Sequence, residues 1–277
     1  MARVKALSLI KFPSRHWAAL CGLLCALSVC AQGGPTDETW LVGIGRLRQQ
    51  DTYLSPLRYR GPQLTFVRET FHPTRRCQQR IVFQSYLQGA FSYTENKPGT
   101  ANEWGGRLGY NAGWHYQWTP LSGLRLMAGA LVGTRLGIVY NDQGGNNPAQ
   151  GRAAIDVSAS VLASYHFRLG RKTLGVRYQA LLPLAGCMFS PQYGQSYYEL
   201  SEGNRDHNIV FTQPFCAPSL WQLLSIDIPF RRYTLRTGYL SDIRQSHVNG
   251  IKSHDISRSF MLGFVKRFSL LSPKTMD

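Results

Sequence analysis

Hydrophobic and polar residues alternate with a period of two along much of the chain. Between Arg107 and Trp118, for example, one set of alternate positions is apolar and the other is polar. A helix repeats every 3.6 residues and would lose this register within a turn, whereas successive side chains of a strand point to opposite faces. The pattern therefore predicts β-strands. The apolar sets of the four clearest segments are Leu108, Tyr110, Ala112, Trp114, Tyr116 and Trp118; Leu124, Leu126, Ala128, Ala130, Val132, Leu136 and Ile138; Ile155, Val157, Ala159, Val161, Ala163, Tyr165 and Phe167; and Leu174, Val176, Tyr178, Ala180 and Leu182.

The length of these segments indicates where the strands lie. They run past ten residues, whereas strands of soluble proteins average about 5–6. A strand that crosses an outer membrane needs about 9–11 residues, with its apolar face towards lipid. The alternative is a soluble β-sandwich, but its outward face would be rich in Lys, Glu and Thr. The polar face here is Gly, Ser, Asn, Gln and Arg, which favours an all-β fold, a transmembrane antiparallel up-and-down β-barrel.

Short and long connections alternate between the predicted strands, as periplasmic turns and extracellular loops do in outer-membrane barrels. The short connections are 119–122, 170–172 and 230–232, and the long ones are 141–152, 185–218 and 243–254. This arrangement predicts 10 strands with both chain ends in the periplasm: 39–47, 63–70, 80–94, 104–118, 123–139, 153–169, 172–184, 219–230, 233–242 and 255–268. A further hairpin formed by Tyr193–Leu200 and His207–Gln213 would make the number 12.

The first 31 residues have the order of a secretory signal peptide, which is a basic start, a short apolar segment and a small-residue cleavage site. The apolar segment Trp17–Cys30 is short for a membrane anchor, and Val29 is bulky for a lipoprotein signal at Cys30. We expect residues 1–31 to be removed on export and residues 32–277 to form the barrel domain in the outer membrane.

Three cysteines, Cys77, Cys187 and Cys216, remain after this cleavage. Cys187 and Cys216 could form a disulfide in an oxidising compartment, which would leave Cys77 free. No CxxC or HxxxH spacing is present, so we expect no metal site. Gly43-Ile44-Gly45 lies in a strand without a following helix, so we expect no nucleotide cofactor either.

The formal net charge is +16, which raises the question of a nucleic-acid partner. The arginines are spread singly along the strands and the chain is exported, so we expect no nucleic acid to bind. Basic residues instead gather in the predicted periplasmic turns, and most acidic residues lie in or beside the predicted outer loops. The charge therefore indicates membrane orientation.

Eight charged residues are predicted to face the barrel lumen. They are Arg107, Arg125, Arg135, Asp156, Arg168, Arg177, Asp227 and Arg236. A barrel of this size is narrow, so these side chains are expected to fill the lumen. The alternative is a water-filled passage, which such a lining would make selective for anions.

One cluster in the last predicted outer loop has the side chains of a lipid hydrolase. Ser246, His247, Asn249 and Asp255 lie close together in sequence, and Ser, His and an acid or amide suffice for acyl transfer. The run Ser246-His247-Val248-Asn249 loosely resembles the His, Ser and Asn order of lipid A deacylases. No Ser stands between the His and the Asn, so the nucleophile is unassigned, and a lipid A or phospholipid hydrolase remains a third alternative.

Several motifs resemble those of an uncharacterised outer-membrane family of Bacteroidetes, known as a domain of unknown function. They are Tyr53-Leu54-Ser55-Pro56-Leu57, Gln192-Tyr193-Gly194-Gln195-Ser196-Tyr197-Tyr198-Glu199, His207-Asn208-Ile209-Val210-Phe211 and Ala217-Pro218-Ser219-Leu220. The resemblance implies a barrel and a surface location, and it implies no activity. The expected role is structural or surface-binding, with Tyr193, Tyr197 and Tyr198 as a contact surface. The expected partners are outer-membrane lipids, lipopolysaccharide and the barrel-assembly machinery.

Overall fold

The computed structural model describes residues 35–268, except 75, 146, 171, 204, 205 and 232. The predicted signal peptide lies outside the described residues. The strands are β1 (Thr36–Asp51), β2 (Ser55–Pro73), β3 (Ile81–Asn96), β4 (Asn102–Leu121), β5 (Leu124–Asn141), β6 (Ala149–Leu169), β7 (Lys172–Phe189), β8 (Ile209–Thr212), β9 (Ser219–Pro229), β10 (Thr234–Val248) and β11 (Ile251–Phe268). A short helix, α1 (Tyr197–Ser201), precedes β8, and a 3-10 turn spans Arg76–Gln79. Neither described helical segment is long and apolar enough to span a membrane.

Ten of these strands form a closed antiparallel barrel, as predicted. Each strand from β1 to β7 pairs with the next, β7 pairs with β9, and β11 closes the barrel against β1 from Phe268 to Ser253. The alternative with 12 strands is wrong. β8 pairs only with Gly186–Phe189 at one end of β7, and the segment predicted to be its partner strand contains α1 instead.

Nine of the ten barrel strands are longer than predicted, and one predicted loop is absent. Residues 243–254 form the continuous hairpin of β10 and β11, in which Val248 pairs with Ile251 across a two-residue turn. Asn249 and Gly250 have φ values of 52° and 74°. A two-residue turn with positive φ at both positions matches the right-handed twist of the strands, and Asn-Gly is its preferred sequence.

The two ends of the barrel differ. At the terminal end, where β1 begins and β11 ends, the strands are joined by segments 74–80, 122–123, 170–171 and 230–233. At the opposite end, segment 190–218 joins β7 to β9 and contains α1 and β8. We call this segment the lid and this end the lid end.

Both faces of the barrel wall have apolar side chains, but these are exposed on the outer face and buried on the inward face. On the outer face they are exposed, as for Ile44 (73%), Phe260 (63%) and Trp118 (58%). The inward face has mainly polar side chains at its two ends and an apolar layer between them that includes Leu131 and Met261, both fully buried. The outer surface therefore needs an apolar solvent, because a soluble protein rarely exposes so large a contiguous apolar area.

Candidate binding site in the barrel lumen

The lumen near the terminal end is filled by a buried ion network around Glu69. Arg177 donates two hydrogen bonds of 2.6 Å to the Glu69 carboxylate, and Gln84 donates a third of 2.6 Å. Arg236 lies 3.5 Å from the same carboxylate and binds Asp227 through two hydrogen bonds of 2.6 and 2.7 Å. The buried charges in this layer are therefore paired, as their removal from water requires.

An apolar layer lies in the middle of the lumen. Tyr86 and Trp221 pack edge to face with ring centroids 4.8 Å apart. The cluster comprises Leu41, Val67, Tyr86, Leu131, Leu181, Trp221, Leu223, Leu240 and Met261, none more than 6% exposed. These side chains come from eight of the ten barrel strands, all except β4 and β6, and lie between the ion pairs near the two ends of the lumen.

A second set of ion pairs fills the lumen near the lid end. Arg152 bridges Asp51 and Asp255 at 2.5 and 2.6 Å, and Arg107 lies 3.3 Å from the same oxygen of Asp255. Nearer the apolar layer, Arg135 pairs with Asp156 and Arg244 with Asp242, each at 2.9 Å. Glu103 accepts hydrogen bonds from Gln49 and Asn141.

A cavity of about 100 Å³ lies between these ion pairs and the lid. Its charged lining is four arginines, Arg107, Arg135, Arg152 and Arg244, and one acid, Asp255. The acids that pair with three of these arginines lie behind the cavity wall.

Several hydrogen-bond donors in the cavity wall are unused. Arg135 contacts an acid through Nη2, and Arg244 through Nε and Nη2, which leaves their other guanidinium N–H groups without a protein partner among the described residues. Ser246 and Ser253 face each other in the β10–β11 pair and line the same cavity. Guanidinium and hydroxyl donors that converge on a small space suit an oxyanion, which accepts several hydrogen bonds at once.

The lid is fastened to the barrel by hydrogen bonds. Tyr53, between β1 and β2, donates to the backbone oxygen of Gln195 at 2.9 Å and packs edge to face with Tyr197. Burial, and then the nearby Tyr197, Asp51 and Glu199, raise the pKa of Tyr53 to about 12. The hydroxyl therefore keeps its proton at neutral pH, and this link is insensitive to pH in the physiological range.

The charged residues predicted for the lumen have different surroundings. Arg177 and Arg236 are buried, whereas Arg107, Arg125 and Arg135 are partly buried. Asp156 pairs with Arg135 and Asp227 with Arg236, while Arg125 donates a hydrogen bond to the Ser164 hydroxyl. Arg168 is the exception. It has the inward parity of β6, but it lies one residue before the strand ends and is exposed, so it does not line the buried lumen.

The acidic residues near the lid end are buried in the lumen, which was not predicted from the sequence. Asp51, Glu103, Asp242 and Asp255 lie near the lid end, in or beside the predicted outer loops as expected, but their side chains are buried and face inward from the strands. Arg152, Arg244 and Glu69, central to the ion networks, were missed. Arg152 and Arg244 lie just past the predicted ends of their strands, so continuing the alternation would have placed them on the inward face. Glu69 lies within the predicted strand 63–70, where its position already has inward parity.

The candidate hydrolase residues do not converge. Ser246 faces the cavity, whereas the adjacent His247 is exposed on the outer face. Asn249 lies in the turn and donates to the backbone oxygens of Ser190 and His207. Asp255 is engaged by two arginines. Neighbouring residues of one strand point to opposite faces, so Ser246 and His247 cannot act as nucleophile and base on one substrate.

The remaining sequence-predicted positions lie in or beside the lid. Cys187 and Cys216 are both free, so the predicted disulfide is not formed. Tyr193 (69%) and Tyr198 (73%) are exposed, as a contact surface requires. Tyr197 is partly buried, and its hydroxyl oxygen accepts from the backbone N–H of Gly151 at 2.6 Å, so it holds the lid in place. Among the described residues, no group of three or more His, Cys, Asp or Glu residues is arranged to hold a metal ion.

Comparison with known proteins gives a family and a general likeness of fold. Residues 34–275 match the family described as "Protein of unknown function (DUF3316)". No protein of curated function matches the chain.

Among solved structures, the translocator domain of the autotransporter NalP from Neisseria meningitidis is 13% identical, with 92% of this chain and 97% of that chain covered and a TM-score of 0.41. The transport unit of the autotransporter AIDA-I from Escherichia coli is 10% identical, with the same shares covered and a TM-score of 0.45. The outer membrane protease OmpT from Escherichia coli is 8% identical over 86% of this chain and 97% of that chain, with a TM-score of 0.43. At these values, no residue role carries over to this chain.

Proposed function

This chain belongs to the DUF3316 family of proteins of unknown function, and we propose that it is an outer-membrane β-barrel with a closed lumen that binds a small oxyanion beneath an extracellular lid. Membership in this family supports the resemblance of the sequence motifs to a domain of unknown function, while an origin in Bacteroidetes stays a prediction. The family assigns no activity, so the proposal depends on this chain's own residues.

The exposed apolar outer face supports a membrane location. Apolar side chains cover the wall, and aromatic side chains lie near its ends, with Trp118 and Tyr116 towards the terminal end and Trp104 and Tyr140 towards the lid end. Aromatic girdles at both borders of an apolar band are typical of transmembrane barrels. The lid end is then the extracellular end, because longer connections face outwards in such barrels.

The apolar layer in the lumen supports binding over transport. A pore needs a continuous polar path, and the apolar cluster around Leu131 and Met261 in the middle of the lumen disfavours such a path. Measurement of ion conductance in planar bilayers separates these functions. A filled lumen would conduct no ions, whereas the alternative, an anion-selective pore, would conduct anions.

The observation that carries the binding proposal is the set of unused donors in the cavity. We expect inorganic phosphate to bind the purified full chain in detergent, measured by isothermal titration calorimetry. The S246A/S253A variant should bind it at least about tenfold more weakly, because a hydrogen bond to a charged group contributes roughly 1.5–3 kcal/mol. This variant leaves every arginine paired as before.

Ser219 provides the matched control. It lines the same cavity, but its hydroxyl already donates to the backbone oxygen of Ala217, so S219A should bind phosphate like the wild type. Equal binding by S246A/S253A and the wild type, or no binding by either, would refute the assignment of this cavity.

A further inference from the structure

Four arginines form a cluster on the outer wall of the barrel, which we call the arginine patch. Arg46 and Arg48 belong to β1, Arg60 to β2 and Arg258 to β11, and all four are exposed. These strands are adjacent in the barrel. The expectation that arginines are spread singly is therefore wrong here, because antiparallel pairing brings together residues that are far apart in sequence.

The arginines of the patch oppose one another directly. Arg46 pairs in register with Arg258, and Arg48 with Arg60. Directly opposed side chains have Cβ atoms about 4.5–5.5 Å apart, and like charges in such pairs are destabilising. Glu95 is opposite Arg60 on its other side, yet none of the four arginines forms an ion pair with an acid among the described residues. The four guanidinium charges of the patch therefore repel one another when no anion is bound.

An exposed apolar row lies directly next to the patch. Ile44, one outward position before Arg46, pairs with Leu64 on one side and Phe260 on the other. These side chains are 73%, 52% and 63% exposed. The arginine patch therefore begins where the apolar row ends, on the side towards the lid.

We infer that the arginine patch binds the phosphate groups of an anionic lipid in the outer leaflet. This inference rests on the proposed membrane location. A phosphate oxyanion matches the fork of a guanidinium and, placed between two opposed arginines, replaces their repulsion by two attractions. Long arginine side chains reach towards headgroups while their stems stay on apolar surface. The occupant is a lipid because the adjoining apolar row would contact its acyl chains.

The test compares stability in two kinds of vesicle. The full chain is folded into phosphatidylcholine vesicles with and without bisphosphorylated lipid A, and the retained lipid A and the urea midpoint of unfolding are measured. Lipid A should bind the wild type and raise its midpoint. R46Q/R258Q should retain lipid A about 30-fold more weakly, since each basic side chain near an anionic lipid contributes roughly a fivefold factor. Without lipid A, the same variant should be at least as stable as the wild type, because a repulsion has been removed.

Arg168 supplies the matched control, since it is an exposed arginine at the terminal end without an ion pair among the described residues. R168Q should bind lipid A like the wild type. Equal retention by R46Q/R258Q and the wild type, or an equal loss in R168Q, would overturn the inference. Stabilisation by inorganic phosphate in neutral vesicles that R46Q/R258Q loses to the same extent as stabilisation by lipid A would overturn the assignment to a lipid, and comparison with this variant separates the patch from phosphate bound in the lumen cavity. A chain that enters neither kind of vesicle would overturn the membrane location as well, whereas normal insertion without lipid A binding would overturn only the patch.

Discussion

The variant E69A is expected to lower the free energy of unfolding by about 3–5 kcal/mol, because it leaves a buried guanidinium without an acidic partner. The Glu69 side chain is 2% exposed and that of Arg177 3% exposed. Arg236 would keep Asp227, whereas Arg177 has no other ion pair among the described residues. Its charge would stay buried against the Phe71 ring, 5.0 Å away, and the Gln179 amide oxygen.

Unfolding in urea, followed by circular dichroism of the chain in vesicles, measures this loss. E95A is the matched control, because Glu95 is exposed on the outer face and forms no ion pair within the described chain; it should change the free energy by less than about 0.5 kcal/mol. The double variant E69A/R177M should recover part of the loss, since it removes the unpaired charge as well. An E69A chain as stable as E95A would show that the network does not hold the barrel together.

Truncation of Trp221 is the second variant for which we expect a large effect. W221A should lower the free energy of unfolding by about 3–5 kcal/mol, the range found for buried aromatic residues replaced by alanine. Trp221 is 6% exposed and packs edge to face on Tyr86 within the apolar layer. The loss therefore measures apolar packing in the lumen.

The control for this variant is Trp118, which is 58% exposed on the outer wall. W118A removes the same kind of side chain from the lipid-facing surface. It should lower the free energy of unfolding by less than half as much in the same urea titration. If both variants unfold at the same urea concentration, the apolar layer is loosely packed, and this result would contradict the proposal that the lumen is closed.

The barrel could be predicted from the sequence because every position in its wall faces either the apolar surroundings or the lumen. Each outward residue such as Leu108 or Leu136 meets an apolar surface and each inward neighbour a crowded interior, so the period of two persists through whole strands. The strand ends could not be found in the same way. β10 and β11 continue beyond the membrane-facing part, where outward residues such as His247 and Lys252 are polar and the contrast between faces disappears.

The candidate site depends on contacts that a single strand does not record. Arg152 and Asp51 are 101 residues apart in sequence, and Arg107 and Asp255 are 148 apart. The inward parity of an arginine predicts that it faces the lumen, whereas its partner depends on the register and closure of ten strands. The opposed arginines of the outer wall were missed for the same reason, since Arg46 meets Arg258 only after the barrel closes.

Gel migration of the full chain from fractionated cells, before and after boiling, tests the membrane barrel most directly. A folded barrel resists detergent and migrates as a compact species until heat unfolds it. The structure predicts that the chain is found in the outer-membrane fraction and that its unboiled form migrates differently from the boiled form. A chain found in the soluble fraction, with the same migration before and after boiling, would contradict the proposal that this protein is a transmembrane barrel.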